Sequence, residues 1–188
     1  MASPVAHALG AYACLVTLRP EVVADPRKHK IAIAAAAILG PLADADFFVA
    51  RFTVNPAFQH HYFTHSIPFL CVFFLFCYLL LRIFRADALN LAMLGAAAYS
   101  THLLLDYFTQ DGSYPYGIPL LWPFTDHHFL APVELFRSIH RGSWRTLFGL
   151  TNVKAAACEI ALLAPAAFLA WYRARRLSRL KTPGELKA

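Results

Sequence analysis

Charge is what this sequence is short of. Of its 188 residues, 15% are Asp, Glu, Lys or Arg, against about a quarter in ordinary soluble domains. A soluble domain of this size needs a charged shell, so the deficit argues against one. The apolar share agrees: 59% of residues are hydrophobic and the mean hydropathy is +0.48. Acids are scarcer than bases, 11 against 17, for a formal charge of +6. Such an excess suits nucleic acid when the bases lie among polar neighbours and exposed aromatics. Here they gather in short runs beside apolar stretches, as membrane-flanking anchors do, and no nucleic-acid partner is expected. Cysteine is sparse as well. Cys14, Cys71, Cys77 and Cys158 lie in apolar segments without a CxxC pair, which implies neither a disulfide framework nor a thiolate zinc site. No basic region precedes the first apolar stretch, so no removable signal peptide is expected.

What is present is a series of apolar segments, and they predict one all-α, polytopic membrane domain over residues 1–188, with a basic tail at 173–188. The strongest run, residues 67–81, is closed by Arg82 and Arg85 and can cross a bilayer if Arg82 snorkels. Residues 89–105 and 155–172 supply two more spans, the last holding Glu159 and Pro165. Two shorter helices are expected before them, at 5–18 and 31–48, with Gly40-Pro41 as a break in the second. Residues 109–132 read differently. Pro115, Pro119, Pro123 and Pro132 with two glycines oppose regular helix, and Tyr114, Tyr116, Trp122, Phe124 and Phe129 suit an interface-level loop that covers a site.

Threading the segments as alternating helices sorts the charges. One end receives Arg19, Arg27, Lys28, Lys30, Arg82, Arg85 and the basic tail; the other receives Arg51, Arg137, Arg141, Arg145 and Lys154. The positive-inside rule makes the first end, and the C-terminus, cytoplasmic.

The opposite end collects the unusual polar residues. His7 lies near the start of the first segment and Asp44 and Asp46 near the end of the second. His60, His61 and His65 precede the strongest span, while His102 and Asp106 end the next. Four segments thus bring His or Asp to one level. If helical, His61/His65 and His102/Asp106 each share a face, with Cβ atoms roughly 5–6 Å apart, close enough to chelate a cation. Imidazole and carboxylate without thiolate suit Zn, Mn or Fe. Asp44 and Asp46 would supply a bridging ligand and a base, or orient a histidine. His61 is favoured over His60 because it pairs with His65. His29, His127, His128 and His140 read as surface residues, Glu134 as a solvated acid, and Thr64 and Ser66 as helix caps. Glu159, inside an apolar span, is either functional or paired with a polar neighbour.

The order His7, PLADAD (41–46), HHYFTHS (60–66), HLLLD (102–106) and YGIPLLWPF (116–124) resembles the bacterial membrane-bound metal-dependent hydrolase family of the LexA-regulated inner-membrane type, itself distantly similar to zinc-dependent phospholipase C. That resemblance covers residues 7–136. It implies that His7, His61 or His65, His102 and Asp106 are metal ligands, and that Asp44 is a ligand or general base. It also implies one or two divalent ions, zinc in the first place, acting on an ester or phosphoester. A site at headgroup level favours membrane lipids as partners and a lipid-like substrate, whose phosphate Arg137, Arg141 or Arg145 would hold. The alternative is a membrane metal transporter or metal-binding scaffold, to which a broken helix at Gly40-Pro41 would belong.

Overall fold

The computed structural model describes residues 1–50, 52, 61–112, 116–140 and 144–180. Among the described residues seven α-helices follow one another: α1 (Pro4–Leu18), α2 (Pro26–Leu39), α3 (Asp46–Ala50), α4 (Ile67–Arg82), α5 (Ala88–Tyr107), α6 (Trp144–Leu147) and α7 (Leu150–Leu180). Short 3-10 turns at Pro20–Val23, Leu42–Ala45 and Phe63–His65 join them. Among the described residues only two isolated β-bridges occur, Thr109 with Phe136 and Ile118 with Phe129. The all-α expectation holds.

Local chemistry sets the helix starts. Ser3 caps α1, its hydroxyl accepting from the Ala6 amide. Asp25 caps α2 through the amides of Arg27 and Lys28. Ser66 caps α4 through the amide of Phe69, as expected of it. Each helix then carries proline in its first turn, where the missing N–H costs nothing.

α1 lies at the centre, packed against α2, α5 and α7, with α4 paired to α5. The interfaces are built from Ala6, Ala11, Ala36, Ala98 and similar small residues. Small side chains let backbones approach where lipid, not water, surrounds the bundle. Contacts fix the directions. The Ser3 amide donates to Glu159 and the Ser178 hydroxyl to the Pro20 carbonyl, so α7 runs parallel to α1. His102 near the end of α5 stacks on His7 near the start of α1, so these two are antiparallel.

Among the described residues two helical stretches, Ala88–Tyr107 and Arg145–Leu180 (α6 continued by α7), are long and apolar enough to cross a membrane, and the bent pair Pro26–Leu39 with Leu42–Ala50, angled by 49°, counts as a third if it is one broken span. This revises the expected count. The strongest apolar run gives α4, only 16 residues long; at ~1.5 Å per residue that is about 24 Å, short of a hydrocarbon core of about 30 Å. The last segment is longer than expected, passing through Pro165 without stopping.

The exposed surface identifies the solvent. No residue of α4 is buried, and Val72, Leu75, Phe76 and Leu79 are all more than half exposed. A soluble helical domain would have to bury this helix on every face. It does not, and a band of exposed aliphatic and aromatic side chains is what a bilayer solvates.

Candidate metal centre

Glycine begins the site. A Cβ on Gly40 would fall 2.5 Å from the carbonyl oxygen of His7, so only glycine lets the end of α2 touch the start of α1. The chain then turns through the 3-10 segment Leu42–Ala45, which presents Asp44, and enters α3 at Asp46. The turn before α4 supplies His65, and the last two turns of α5 supply His102 and Asp106.

Hydrogen bonds fix which ring nitrogen each histidine offers. His102 Nδ1 lies 2.8 Å from the Gly40 carbonyl oxygen, which can only accept, so Nδ1 carries the proton. The Thr64 hydroxyl donates to Asp46 Oδ2 at 2.6 Å and therefore accepts from His65 Nδ1 at 2.9 Å. Tyr99 holds this turn from α5, its hydroxyl donating to the Thr64 carbonyl at 2.7 Å. Both histidines thus turn Nε2 towards the same point, and the two Nε2 atoms are 3.1 Å apart. Were both imidazoles neutral, two lone pairs would face each other there, an arrangement that a proton or a shared cation relieves.

The carboxylates complete the set. From His65 Nε2, Asp44 Oδ1 is 3.6 Å and Asp106 Oδ2 3.5 Å away; from His102 Nε2 they are 3.5 and 3.2 Å away. Ligand atoms of all four residues lie within 4.8 Å of one another. A tetrahedral zinc with ligand bonds of about 2.0–2.1 Å has edges of roughly 3.3 Å, which the five measured edges bracket. Asp106 Oδ2 is buried without a hydrogen-bond partner among the described residues, the condition a bound cation would satisfy. The residues fit a divalent ion with nitrogen and oxygen ligands.

The field at this point is negative. Burial disfavours the His65 imidazolium, yet Asp106, Asp44 and Asp46 outweigh it and hold its pKa well above the ordinary value. The same three carboxylates attract a metal cation. His65, His102 and Asp106 are sealed, with side chains at most 1% exposed, whereas Asp44 is 12% exposed and marks the open side. His61 stands there too, its Nε2 3.8 Å from Asp106 Oδ2 and its Nδ1 3.9 Å from Asp111 Oδ2. Beyond Asp111 opens a cleft of about 580 Å³, lined by residues that include Gln110, Arg137, Ser138, His140 and Thr151. The loop after α5 packs at this end: Gly117 donates to Asp111, Leu120 accepts from Ile67, and Ile118 is buried against Ala43 and Tyr99.

The expected site residues therefore separate. His65, His102, Asp106 and Asp44 converge. His7 adjoins them, stacked on His102 with ring centroids 3.6 Å apart and Nε2 3.5 Å from Asp106 Oδ1, outside the four-residue set. Asp46 lies on the far side of His65, 3.4 Å from Nδ1, and so away from the converging Nε2 atoms. His61 and His65 do not share a helix face; residues 61–66 form a turn, with His61 at φ +68°, and α4 starts only at Ile67. His60, Arg51, Arg141 and the tail from Lys181 onward lie outside the described residues. Glu159 is fully buried and accepts from the Ser3 amide at 3.0 and 3.2 Å, the paired alternative. Glu134 and His127 are exposed, and His29 bonds Tyr12 at the other end of the bundle. Sequence pattern does not assign Asp111, Thr64 or Gly40 to the site: Gly40 carries only a break signal and Thr64 reads as a cap.

Residues 1–180 match the profile of the YdjM inner membrane protein family. This chain belongs to that family. It is also 35% identical over 103 residues to the inner membrane protein YbcI of Escherichia coli (strain K12), a match spanning 53% of this chain and 58% of that protein. The chain thus covers somewhat over half of that relative's length. No solved structure matches it significantly. Family and apolar helices together place the protein in a bacterial inner membrane.

Proposed function

We propose that this family member is a membrane-bound metal-dependent hydrolase acting on an ester or phosphoester, with its site facing away from the cytoplasm. The observation that carries this reading is the convergence of His65, His102, Asp106 and Asp44 at tetrahedral spacing, with only Asp44 reached by solvent. In this reading His65, His102 and Asp106 hold the ion, with zinc preferred for the His/Asp donor set. Zinc held by these residues would supply a water of pKa about 7 and a Lewis acid for a carbonyl or phosphoryl oxygen. Asp44, at the open side, is placed to take the proton from the attacking water. Asp46 orients His65 through Nδ1, as outer carboxylates do for ligating histidines. The cleft beyond Asp111 admits the substrate's polar part, and Arg137 on its wall supplies a cation for phosphate. The apolar belt argues for a lipid-like substrate entering at headgroup level.

The outward orientation follows from the charges. The end opposite the site holds ten of the Lys and Arg residues described, Arg19 to Lys30, Arg82, Arg85 and Arg173 to Arg179, with only Glu21, Asp25 and Asp87 as acids. By the positive-inside rule that end stays in the cytoplasm.

One observation favours a second reading. Four protein ligands close a tetrahedron, and closed sites are structural whereas catalytic ones keep an open position. A metal-holding scaffold, or a transporter using the break at Gly40, would have Asp44 as a full ligand.

Metal analysis of detergent-purified protein separates these. Wild type should carry a divalent ion and His102→Ala with Asp106→Ala should lose it; equal metal in both would remove the site. Asp44→Asn should keep the ion and lose hydrolysis of a phospholipid and phosphomonoester panel. Loss of the ion in Asp44→Asn, with an inactive wild type, would favour the scaffold.

A further inference from the structure

At the end of the bundle away from the metal centre, a second cavity of about 500 Å³ opens between the start of α2, the Pro20–Val23 turn and the last turns of α7. Its walls include Val23, His29, Trp171, Arg175, Ser178 and Arg179. We propose that it binds the phosphodiester headgroup of an anionic membrane phospholipid. The cavity is independent of the candidate metal centre and of any hydrolysis there.

Charge comes first. No carboxylate lines the cavity among the described residues. The two acids nearest in sequence are engaged elsewhere: Glu21 pairs with Arg19, and Asp25 accepts the amides of Arg27 and Lys28 as the cap of α2. Arg175 and Arg179 make no ion pair with any described residue, and being four apart they lie on one face of α7. A phosphate oxygen supplies what two adjacent unpaired guanidinium groups lack.

Placement comes second. The Arg175 guanidinium sits 5.2 Å from the Trp171 ring centroid, a cation–π contact that orders it before any ligand arrives. Trp171, one turn further into the span, is the amphipathic ring found at headgroup level. Ser178 ties α7 to the turn beneath, its hydroxyl donating to the Pro20 carbonyl at 3.0 Å. His29 is held by the Tyr12 hydroxyl at 2.8 Å. Exposed Phe168, seven residues before Arg175 and on the same face of α7, continues that face into the span, so acyl chains below a bound headgroup would meet apolar surface. A free phosphate would gain the arginines but none of that surface. Basic pockets between membrane helices bind anionic headgroups for these reasons.

The experiment is lipid retention by native mass spectrometry, with full-length protein in mixed micelles of phosphatidylglycerol and phosphatidylcholine. Wild type should retain phosphatidylglycerol preferentially. Arg175→Gln with Arg179→Gln should weaken that retention by roughly ten-fold or more, the loss expected when charge-assisted hydrogen bonds to a phosphate are removed. Arg173→Gln with Arg176→Gln removes the same charge from other faces of α7 and should leave retention intact. Arg175→Lys with Arg179→Lys keeps the charge and should stay close to wild type; gel filtration and thermal melting report folding of each variant. Equal retention of both lipids by wild type would overturn the proposal, as would equal loss in the two Gln pairs, which would mean a diffuse surface charge. Displacement of the lipid by millimolar glycerol phosphate would assign the cavity to a soluble phosphate instead.

Discussion

Replacing Asp46 by Asn tests the division of labour at the proposed metal centre. The substitution keeps size and shape but removes the charge that faces His65 Nδ1 at 3.4 Å and accepts from Thr64 at 2.6 Å. Asp46 is buried, so no solvent screens the loss. The His65 ring would keep its place through Thr64, yet Nε2 would become less basic towards a metal. Outer partners of this kind alter metal affinity by about 10- to 100-fold, or roughly 1.4–2.8 kcal/mol at about 1.4 kcal/mol per decade. Zinc affinity would be measured by competition with a chelating indicator on detergent-purified protein, with stoichiometry read at saturation. The expected result is unchanged stoichiometry with a dissociation constant raised 10- to 100-fold. Thr64→Val, which removes the bridging hydroxyl, should weaken binding less, about five-fold for one neutral hydrogen bond of about 1 kcal/mol. An unchanged affinity in Asp46→Asn would refute the orienting role. Loss of the ion even at saturating zinc would make Asp46 a ligand.

Other outcomes follow from the same contacts. Gly40→Ala must push the ends of α1 and α2 apart, since its Cβ meets His7 backbone at 2.5 and 2.6 Å; a loss of about 1–3 kcal/mol is expected from overpacking, read as a lower melting temperature together with weaker metal binding. Glu159→Ala strands the buried Ser3 amide and should cost about 1–3 kcal/mol, seen in thermal melts, while metal stoichiometry stays the same. Metal affinity should keep rising with pH above the ordinary histidine range, because a ligating His65, whose pKa the carboxylates hold high, must give up its proton to bind; a pH-independent affinity would exclude histidine ligands. A topology reporter fused after Ala188 should report the cytoplasm, and a periplasmic signal would invert the orientation.

Sequence alone determined the solvent and the level of the site. Too little charge, long apolar runs and flanking bases leave a bilayer as the only medium that suits the chain, and helix alternation then brings His7, Asp44, His65, His102 and Asp106 to one end. Both follow from composition and chain direction, which are local properties. The number of spans was less legible, because hydropathy marks apolar residues but not where a helix stops: α4 is the most apolar run and still ends after 16 residues. Only tertiary structure decided which side chains meet. His61 and Asp46 carry the same chemistry as His65 and Asp44 in sequence; a turn at positive φ and the bond from Thr64 set them outside the converging Nε2 atoms. The Gly40 carbonyl that fixes the His102 tautomer lies 62 residues away from it. Such choices depend on contacts between distant segments, and no spacing within one segment encodes them.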